Sequence, residues 1–386
     1  MYQIQTLNKI SKKGLSRLGE NYTCADEVAN PDGIILRSFK MHDMELPKSL
    51  RAVARAGAGV NNIPIEKCTD AGIVVFNTPG ANANAVKELV LAGLFLASRK
   101  VVQGIQWAKT LIGEGDAISG LVEKGKGSFG GPEIEGKTLG VVGLGAIGVK
   151  VANAAHHLGM DVVGYDPYLS VNAAWSLTRF AHKANSLQEV LEKADYITIH
   201  VPATPETKGM FNSEAFASMK NGARLLNFSR DSLVDESDVI AALESGKLAS
   251  YVTDFATEKL LQTENVICMP HLGASTPESE ENCAVMAADQ MKNFLENGNI
   301  INSVNFPACD MGKAVGTRIT ILHKNIPNML KQLTDALASK NVNIANMLNK
   351  SKGDNAYTMI DVDGNCGAAA IAEMESIDGV IKVTVL

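Results

Sequence analysis

The stretch that decides the fold reads Gly140-Val141-Val142-Gly143-Leu144-Gly145-Ala146-Ile147-Gly148, and further on Met160-Asp161-Val162-Val163-Gly164-Tyr165-Asp166-Pro167. Residues 138–142 are a short apolar run, the mark of a buried strand. Residues 149–158 have helical spacing and stop at Gly159. A second strand over 161–165 ends in Asp166. Gly143, Gly145 and Gly148 stand between strand and helix in the spacing G-x-G-x-x-G. Alone that spacing says little. Between a strand and a helix, with an acid at the next strand tip, it specifies a dinucleotide site. Gly143 allows the tight turn, Gly145 lets the backbone approach a pyrophosphate, and Gly148 lets helix and strand pack closely. The amides that open the helix, with Ala146 and Ile147 among its first residues, are then offered to the phosphates.

Asp166 selects the cofactor. A carboxylate there accepts hydrogen bonds from a ribose diol and repels a 2′-phosphate. Pro167-Tyr168-Leu169-Ser170 bring no arginine to hold such a phosphate. The sequence predicts NAD rather than NADP.

At 386 residues the chain has room for two or three domains. Hydrophobic residues make up 46% and charged residues 20%, enough for real cores and too apolar for a disordered chain. A formal net charge of −6 argues against nucleic acid as a partner. Six cysteines (Cys24, Cys68, Cys268, Cys283, Cys309 and Cys366) form no C-x-x-C pair. That points to free thiols in a reducing cytoplasm and to no metal site. The N-terminus lacks the layout of a signal peptide, and the most apolar run, 89–97, is too short to span a bilayer.

Outward from the fingerprint, strands and helices alternate, as in a doubly wound parallel sheet. Residues 1–98, completed by 285–305, read as one α/β domain. Its strands over 33–36, 52–56 and 73–76 lead into Arg37-Ser38, Gly57-Ala58-Gly59 and Asn77-Thr78-Pro79. Residues 99–284 read as a Rossmann-like dinucleotide domain, with further strands over 195–201, 224–228, 251–253 and 266–269 and an exposed loop over 113–131. A long helix over 277–296 begins behind a capping box of Ser275 and Glu278. After a linker at 306–313, residues 314–386 read β-α-β-β-α-β, the ferredoxin-like arrangement. The fold class is α/β: two Rossmann-like domains and a small C-terminal α+β domain.

Three polar residues follow strand tips of the dinucleotide domain: Arg230, Glu258 and His271. Arginine suits a carboxylate because its planar fork bonds bidentately. Histidine suits proton exchange with an alcohol near neutral pH, and a glutamate beside it favours the imidazolium. Hydride transfer to a nicotinamide needs one such acid/base and one anchor. Singly, each residue reads as a surface or loop side chain; together, on one dinucleotide sheet, they read as an active site. His156-His157 reads as helix surface, and Lys124 and Lys126 as solvated loop.

With Ile35-Leu36-Arg37-Ser38, Arg55-Ala56-Gly57-Ala58-Gly59, Asn77-Thr78-Pro79, His200-Val201-Pro202, the run 227–236 and the run 270–276, the chain resembles D-isomer-specific 2-hydroxyacid dehydrogenases over residues 1–305. The resemblance implies Arg230, Glu258 and His271 as the catalytic set. It implies an NAD site formed by the glycine turn with Asp166, His200, Pro202, Thr207, Ser229 and Asp254. It also implies substrate contacts from Arg37, Ser38, Arg230 and the amides of Gly57, Ala58 and Gly59, with a phosphorylated 2-hydroxy acid as substrate. The aspartate that meets the nicotinamide carboxamide falls on Thr253 or Asp254, of which Asp254 is preferred. Asp231, Lys259 and Lys87 depart from the family's usual glycine, proline and small residue. A glyoxylate or hydroxypyruvate reductase and an NAD-sensing co-repressor are alternative functions for this scaffold. The last domain resembles an ACT domain, with Asn328 in place of the usual glycine. That resemblance implies pairing into a homo-oligomer and L-serine as effector, held by His323, Asn325 and Asn343.

Overall fold

Runs of aliphatic and β-branched residues form three sheets in the computed structural model, which describes residues 1–386. The first sheet holds β1 (Tyr2–Leu7), β2 (Tyr22–Ala25), β3 (Gly33–Leu36), β4 (Ala52–Arg55) and β5 (Val74–Phe76), all parallel, in the order β2-β1-β3-β4-β5. The second holds β6 (Thr138–Val142), β7 (Asp161–Tyr165), β8 (Ala181–Lys183), β9 (Tyr196–Ile199), β10 (Ala223–Asn227), β11 (Leu248–Thr253) and β12 (Val266–Cys268). Its order, β12-β11-β10-β9-β6-β7-β8, reverses direction between β6 and β9, where ligands bind doubly wound sheets. The third is antiparallel: β13 (Thr317–Lys324), β14 (Ile344–Lys352), β15 (Asn355–Val362) and β16 (Val380–Val385), in the order β14-β15-β13-β16.

The chain divides into two compact units, residues 1–81 with 277–386, and residues 82–276. The breaks expected at 98/99 and 284/285 therefore move. The helix Ala83–Ser98 buries Val86, Val90, Leu94 and Ala97 beside Leu139 and Val141 of the second unit. Its Gly93 is needed there, because a Cβ would stand 3.0 Å from the Phe228 ring. The helix Pro277–Asn297 buries Cys283, Ala287, Met291, Phe294 and Leu295 in the core of the first unit. It starts at Pro277, which puts Thr276 rather than Ser275 just before the helix. Residues 113–131 are not a plain loop, since they include the helix Ile118–Gly125.

The C-terminal module is part of the first unit. Its sheet alternates: Ile319, Ile321, Ile360 and Val362 face the two helices of the module, Met329–Ala338 and Ala368–Glu375. Leu322, Tyr357 and Met359 face the other way and join Ile4, Phe76, Met291 and Phe294 in one core. The expected linker is packed into this junction, with Phe306 and Cys309 fully buried. Tyr357 donates its hydroxyl to the Gly298 carbonyl at 2.7 Å, and Lys382 donates to the Leu50 carbonyl at 2.8 Å.

Arg318 pins the same junction. It is 1% exposed, forks onto both oxygens of Asp361 at 2.6 and 2.9 Å, and donates to the carbonyls of Asn297 and Gly312 at 2.9 Å. Removing one partner of such a pair strands the other in a poorly solvated place. Arg318→Met is expected to cost about 3–5 kcal/mol of stability in denaturant melts, most of it regained when Asp361→Leu is added.

Candidate functional site

The turn after β6 is built by contacts that only glycine permits. Gly143 has φ +92°, and a Cβ on it would lie 2.7 Å from the His200 carbonyl. A Cβ on Gly148 would lie 2.0 Å from the Gly143 oxygen. Gly145 differs, because nothing stands within 4 Å of its Cβ direction and the helix Ala146–His157 opens behind it with no side-chain cap. That open face and those uncapped amides suit a pyrophosphate. At the tip of β7, Asp166 accepts from the Leu144 amide at 2.8 Å and from the Tyr168 amide at 2.8 Å. The two bonds fix the carboxylate and leave lone pairs for a ribose diol. These residues fit an NAD-type dinucleotide.

The adjoining strand ends hold the other expected cofactor residues. The His200 amide bonds the Val142 carbonyl at 2.7 Å, joining β9 to β6, and its Nε2 pairs with the Thr198 hydroxyl at 2.9 Å. Its Nδ1 is buried with no partner, and burial pushes the ring's pKa down to about 3, so it is neutral at working pH. Thr207 donates to the Pro202 carbonyl at 2.7 Å and closes that loop. Ser229 donates to the Val201 carbonyl at 2.9 Å.

Beyond β10, the buried Asn227 turns the chain by donating to the Arg230 carbonyl at 2.8 Å, which leaves the Arg230 side chain exposed. Beyond β11, Asp254 is 5% exposed, and its charge acts on both His271 and Arg230. Beyond β12, His271 is exposed, with the Phe255 ring edge-on at 5.3 Å. The structure thus brings Arg230, Asp254 and His271 to one end of three adjacent strands. Glu258 is exposed at the start of the short helix Glu258–Gln262, and no hydrogen bond or ion pair joins it to His271. The Asp254 contribution to this cluster was masked in the sequence, where the residue reads as a cofactor contact.

The substrate residues expected in the first unit form their own cluster. Arg37, expected to contact the substrate, pairs with Glu280 at 2.7 Å. The amides of Ser38 and Phe39 both bond the Asn8 side chain, at 3.0 and 2.7 Å. In the loop after β4, the Gly57 carbonyl accepts from the Thr78 amide, Ala58 from Asn77, and Gly59 from Arg55. With the carbonyls turned inward, the amides of Ala58 and Gly59 have no acceptor within the protein. Arg55, which the sequence reading passed over, shapes this loop and also bonds the Arg37 carbonyl at 3.0 Å.

The three expected effector residues do not come together within one chain. His323 is 2% exposed, and its ring nitrogens engage the Lys324 carbonyl and the Thr358 hydroxyl at 2.8 Å each. Burial lowers its pKa, so it sits neutral inside the sheet. Asn325 is exposed at one end of the sheet and donates to Gly353, while Asn343 is exposed at the other end and donates to Asp363. A strand length of roughly 25 Å separates those ends.

Residues 92–273 match the model of the D-isomer specific 2-hydroxyacid dehydrogenase NAD binding domain. The chain is 32% identical over 358 residues to D-3-phosphoglycerate dehydrogenase of Haemophilus influenzae, covering 89% of this chain and 83% of that protein. It is 33% identical over 327 residues to the Methanocaldococcus jannaschii protein of the same name, covering 82% of this chain but only 60% of that longer relative. Among solved structures, NAD+-bound 3-phosphoglycerate dehydrogenase of Entamoeba histolytica aligns with TM-score 0.60 and 26% identity, over 79% of this chain and 98% of that one. D-mandelate dehydrogenase of Rhodotorula graminis shares the fold, with TM-score 0.67 and 23% identity over 81% of this chain and 99% of that one.

The glycine geometry separates folding from binding. Gly145→Ala is expected to melt like the wild type and bind NAD more weakly by calorimetry. Gly148→Ala is expected to lower the melting temperature itself, since its Cβ meets backbone.

Proposed function

The chain belongs to the family of D-isomer-specific 2-hydroxyacid dehydrogenases, and we propose that it oxidises D-3-phosphoglycerate to 3-phosphohydroxypyruvate with NAD, the first step of serine biosynthesis. The observation that carries this reading is the placement of Arg230, Asp254 and His271 at the ends of β10, β11 and β12, on the sheet whose β6 turn forms the dinucleotide cradle. Bound NAD supplies the acceptor for the C2 hydride. His271, neutral at the start, takes the proton of the C2 hydroxyl. The Arg230 fork holds the substrate carboxylate and the oxygen that becomes the carbonyl. Glu258 is assigned to the imidazolium that results. The amides of Ala58 and Gly59 are assigned to the carboxylate, and Arg37 with Ser38 to the phosphate. Arg37 exchanges its half-exposed Glu280 partner for that phosphate at little cost, because such pairs are worth about 0–1 kcal/mol.

The protein is read as a homo-oligomer. The helices Val101–Lys109 and Ile118–Gly125 bury no residue, yet Val101, Ile105 and Ile118 lie on them, exposed by 41%, 54% and 39%. A second copy would cover such a surface. No helix is long and apolar enough to cross a membrane, and six free cysteines suit the reducing cytoplasm that we assign. L-serine is assigned as effector of the C-terminal module, held between two copies of the homo-oligomer, with Asn325 of one subunit and Asn343 of the other as its polar contacts.

The reading is tested by NAD reduction with D-3-phosphoglycerate against its unphosphorylated analogues, glyoxylate and hydroxypyruvate being assayed in reverse. The phosphorylated acid is expected to have the highest kcat/KM, and His271→Ala to lose about 10²–10⁴-fold in turnover. Arg37→Ala is expected to raise KM for the phosphorylated acid alone. Turnover confined to the unphosphorylated acids would assign the chain to another branch of the family. Calorimetry with L-serine is expected to show binding that is lost in Asn343→Ala, and no heat with the wild type would remove serine from the reading.

A further inference from the structure

We propose that the second unit binds a small phosphate-class oxyanion in a cavity where β10, β11 and β12 begin, at the opposite ends of these strands from Arg230, Asp254 and His271. The cavity holds about 170 Å³ and is lined by Arg99, Lys100 and Arg224, together with Ser250. No carboxylate lines it, although the chain as a whole carries a formal charge of −6. Arg224 and Ser250 are register partners on β10 and β11, so their side chains share one face of the sheet. Ser250 is 6% exposed, and its hydroxyl has no hydrogen-bond partner in the protein. A buried hydroxyl left so is costly unless something in the cavity engages it.

The cations are held in place and not neutralised. Arg224 donates from Nε to the Ala97 carbonyl at 2.8 Å and from Nη1 to the Gly222 carbonyl at 3.3 Å, over the Tyr196 ring at 5.1 Å. Those contacts fix the guanidinium and leave Nη2 to donate elsewhere. Arg99 and Lys100 are exposed and enter no ion pair. The helix Val101–Lys109 starts at the same place with no side-chain cap, so its first turn adds to the positive field. Gln103 also lines the cavity. Its carbonyl oxygen is buried without a partner, and the amide turned over offers N–H groups in the same shape. Gathered like charges repel one another, and an anion among them turns repulsion into attraction. Size sets the ligand class. Water takes about 30 Å³ per molecule in the liquid, so there is room for a hydrated tetrahedral oxyanion. Sites for larger ligands run to roughly 300–1,000 Å³, which excludes a nucleotide. Bound there, the anion braces two ends of the chain. Gly131 lies against Ser98, since a Cβ on it would run into the Ser98 carbonyl, and between them runs the segment whose helices bury no residue.

The test is calorimetry of the full-length chain with inorganic phosphate at constant ionic strength. NAD is kept saturating so that the glycine turn is filled, and Arg37→Ala serves as background so that the phosphate contact assigned to the reaction is removed. This background protein is expected to take up one phosphate and to gain melting temperature with it. Adding Ser250→Ala, which deletes one oxygen, is expected to weaken uptake about 10-fold, and adding Arg99→Gln with Lys100→Gln about 100-fold. Without phosphate, the melting temperature of the charge-deleted protein is not lowered, because a repulsion has gone. D-3-phosphoglycerate is titrated in parallel. If it competes with phosphate, and no longer does so in these variants, the occupant is a phosphorylated metabolite; if it does not compete, the occupant is the free ion. No phosphate uptake by the NAD-saturated background would overturn the inference. So would uptake left unchanged by both Ser250→Ala and the charge deletion. Should Ser250→Ala not fold, the exposed Arg99 and Lys100 decide the matter alone. None of these readouts requires turnover, so a wrong substrate assignment would leave them intact.

Discussion

In the turn after β6, a Cβ on Gly148 would stand 2.0 Å from the Gly143 carbonyl oxygen, so there is no room for one carbon atom. That contact sets how near the helix Ala146–His157 comes to β6, and so where its first amides point. Asp166 reaches back to the same turn through the Leu144 amide, and the His200 backbone closes its other side. Three strand ends are thereby locked in register around one turn. The positions of Arg230, Asp254 and His271 follow, because β10, β11 and β12 are laid down from β9 outward.

Much of this was legible in the sequence because it is local. A glycine fingerprint, a strand-tip acid and the β-α-β-β-α-β order of the last module are each written within a few dozen residues. What was not legible depends on partners far along the chain. β1 and β2 went unread, since Tyr2–Leu7 is told from any half-apolar run only by pairing with β3. The helix Ala83–Ser98 is apolar enough to suit either unit, and Phe228 decides which. Residues 306–313 have a linker's composition, yet Phe306 and Cys309 are buried under a sheet whose strands begin later.

The site shows the same division. Residue types at strand tips could be named, but their pairing could not. Arg37 is named by the resemblance as a substrate contact, and nothing local shows its pairing with Glu280, 243 residues away in sequence. Asp254 and Glu258 are two acids four positions apart. Only the end of β11 shows that the first turns inward and the second stays in water. The resemblance names His323, at a strand end, as an effector contact. Its place on β13, against Thr358 of the neighbouring strand, makes it part of the interior.

The burial of both faces of the small C-terminal sheet has an evolutionary consequence. A module attached by a tether can be gained, lost or exchanged in one step. This one cannot, because Leu322, Tyr357 and Met359 form part of the same core as Ile4, Phe76 and Phe294. A lineage that dropped the module would expose an apolar surface on the remaining domain and lose the Arg318 contacts to Asn297. Polar replacements along Pro277–Asn297 would have to come first. Descendants of this chain that give the module a new use should therefore keep its sheet and alter single residues on its rim.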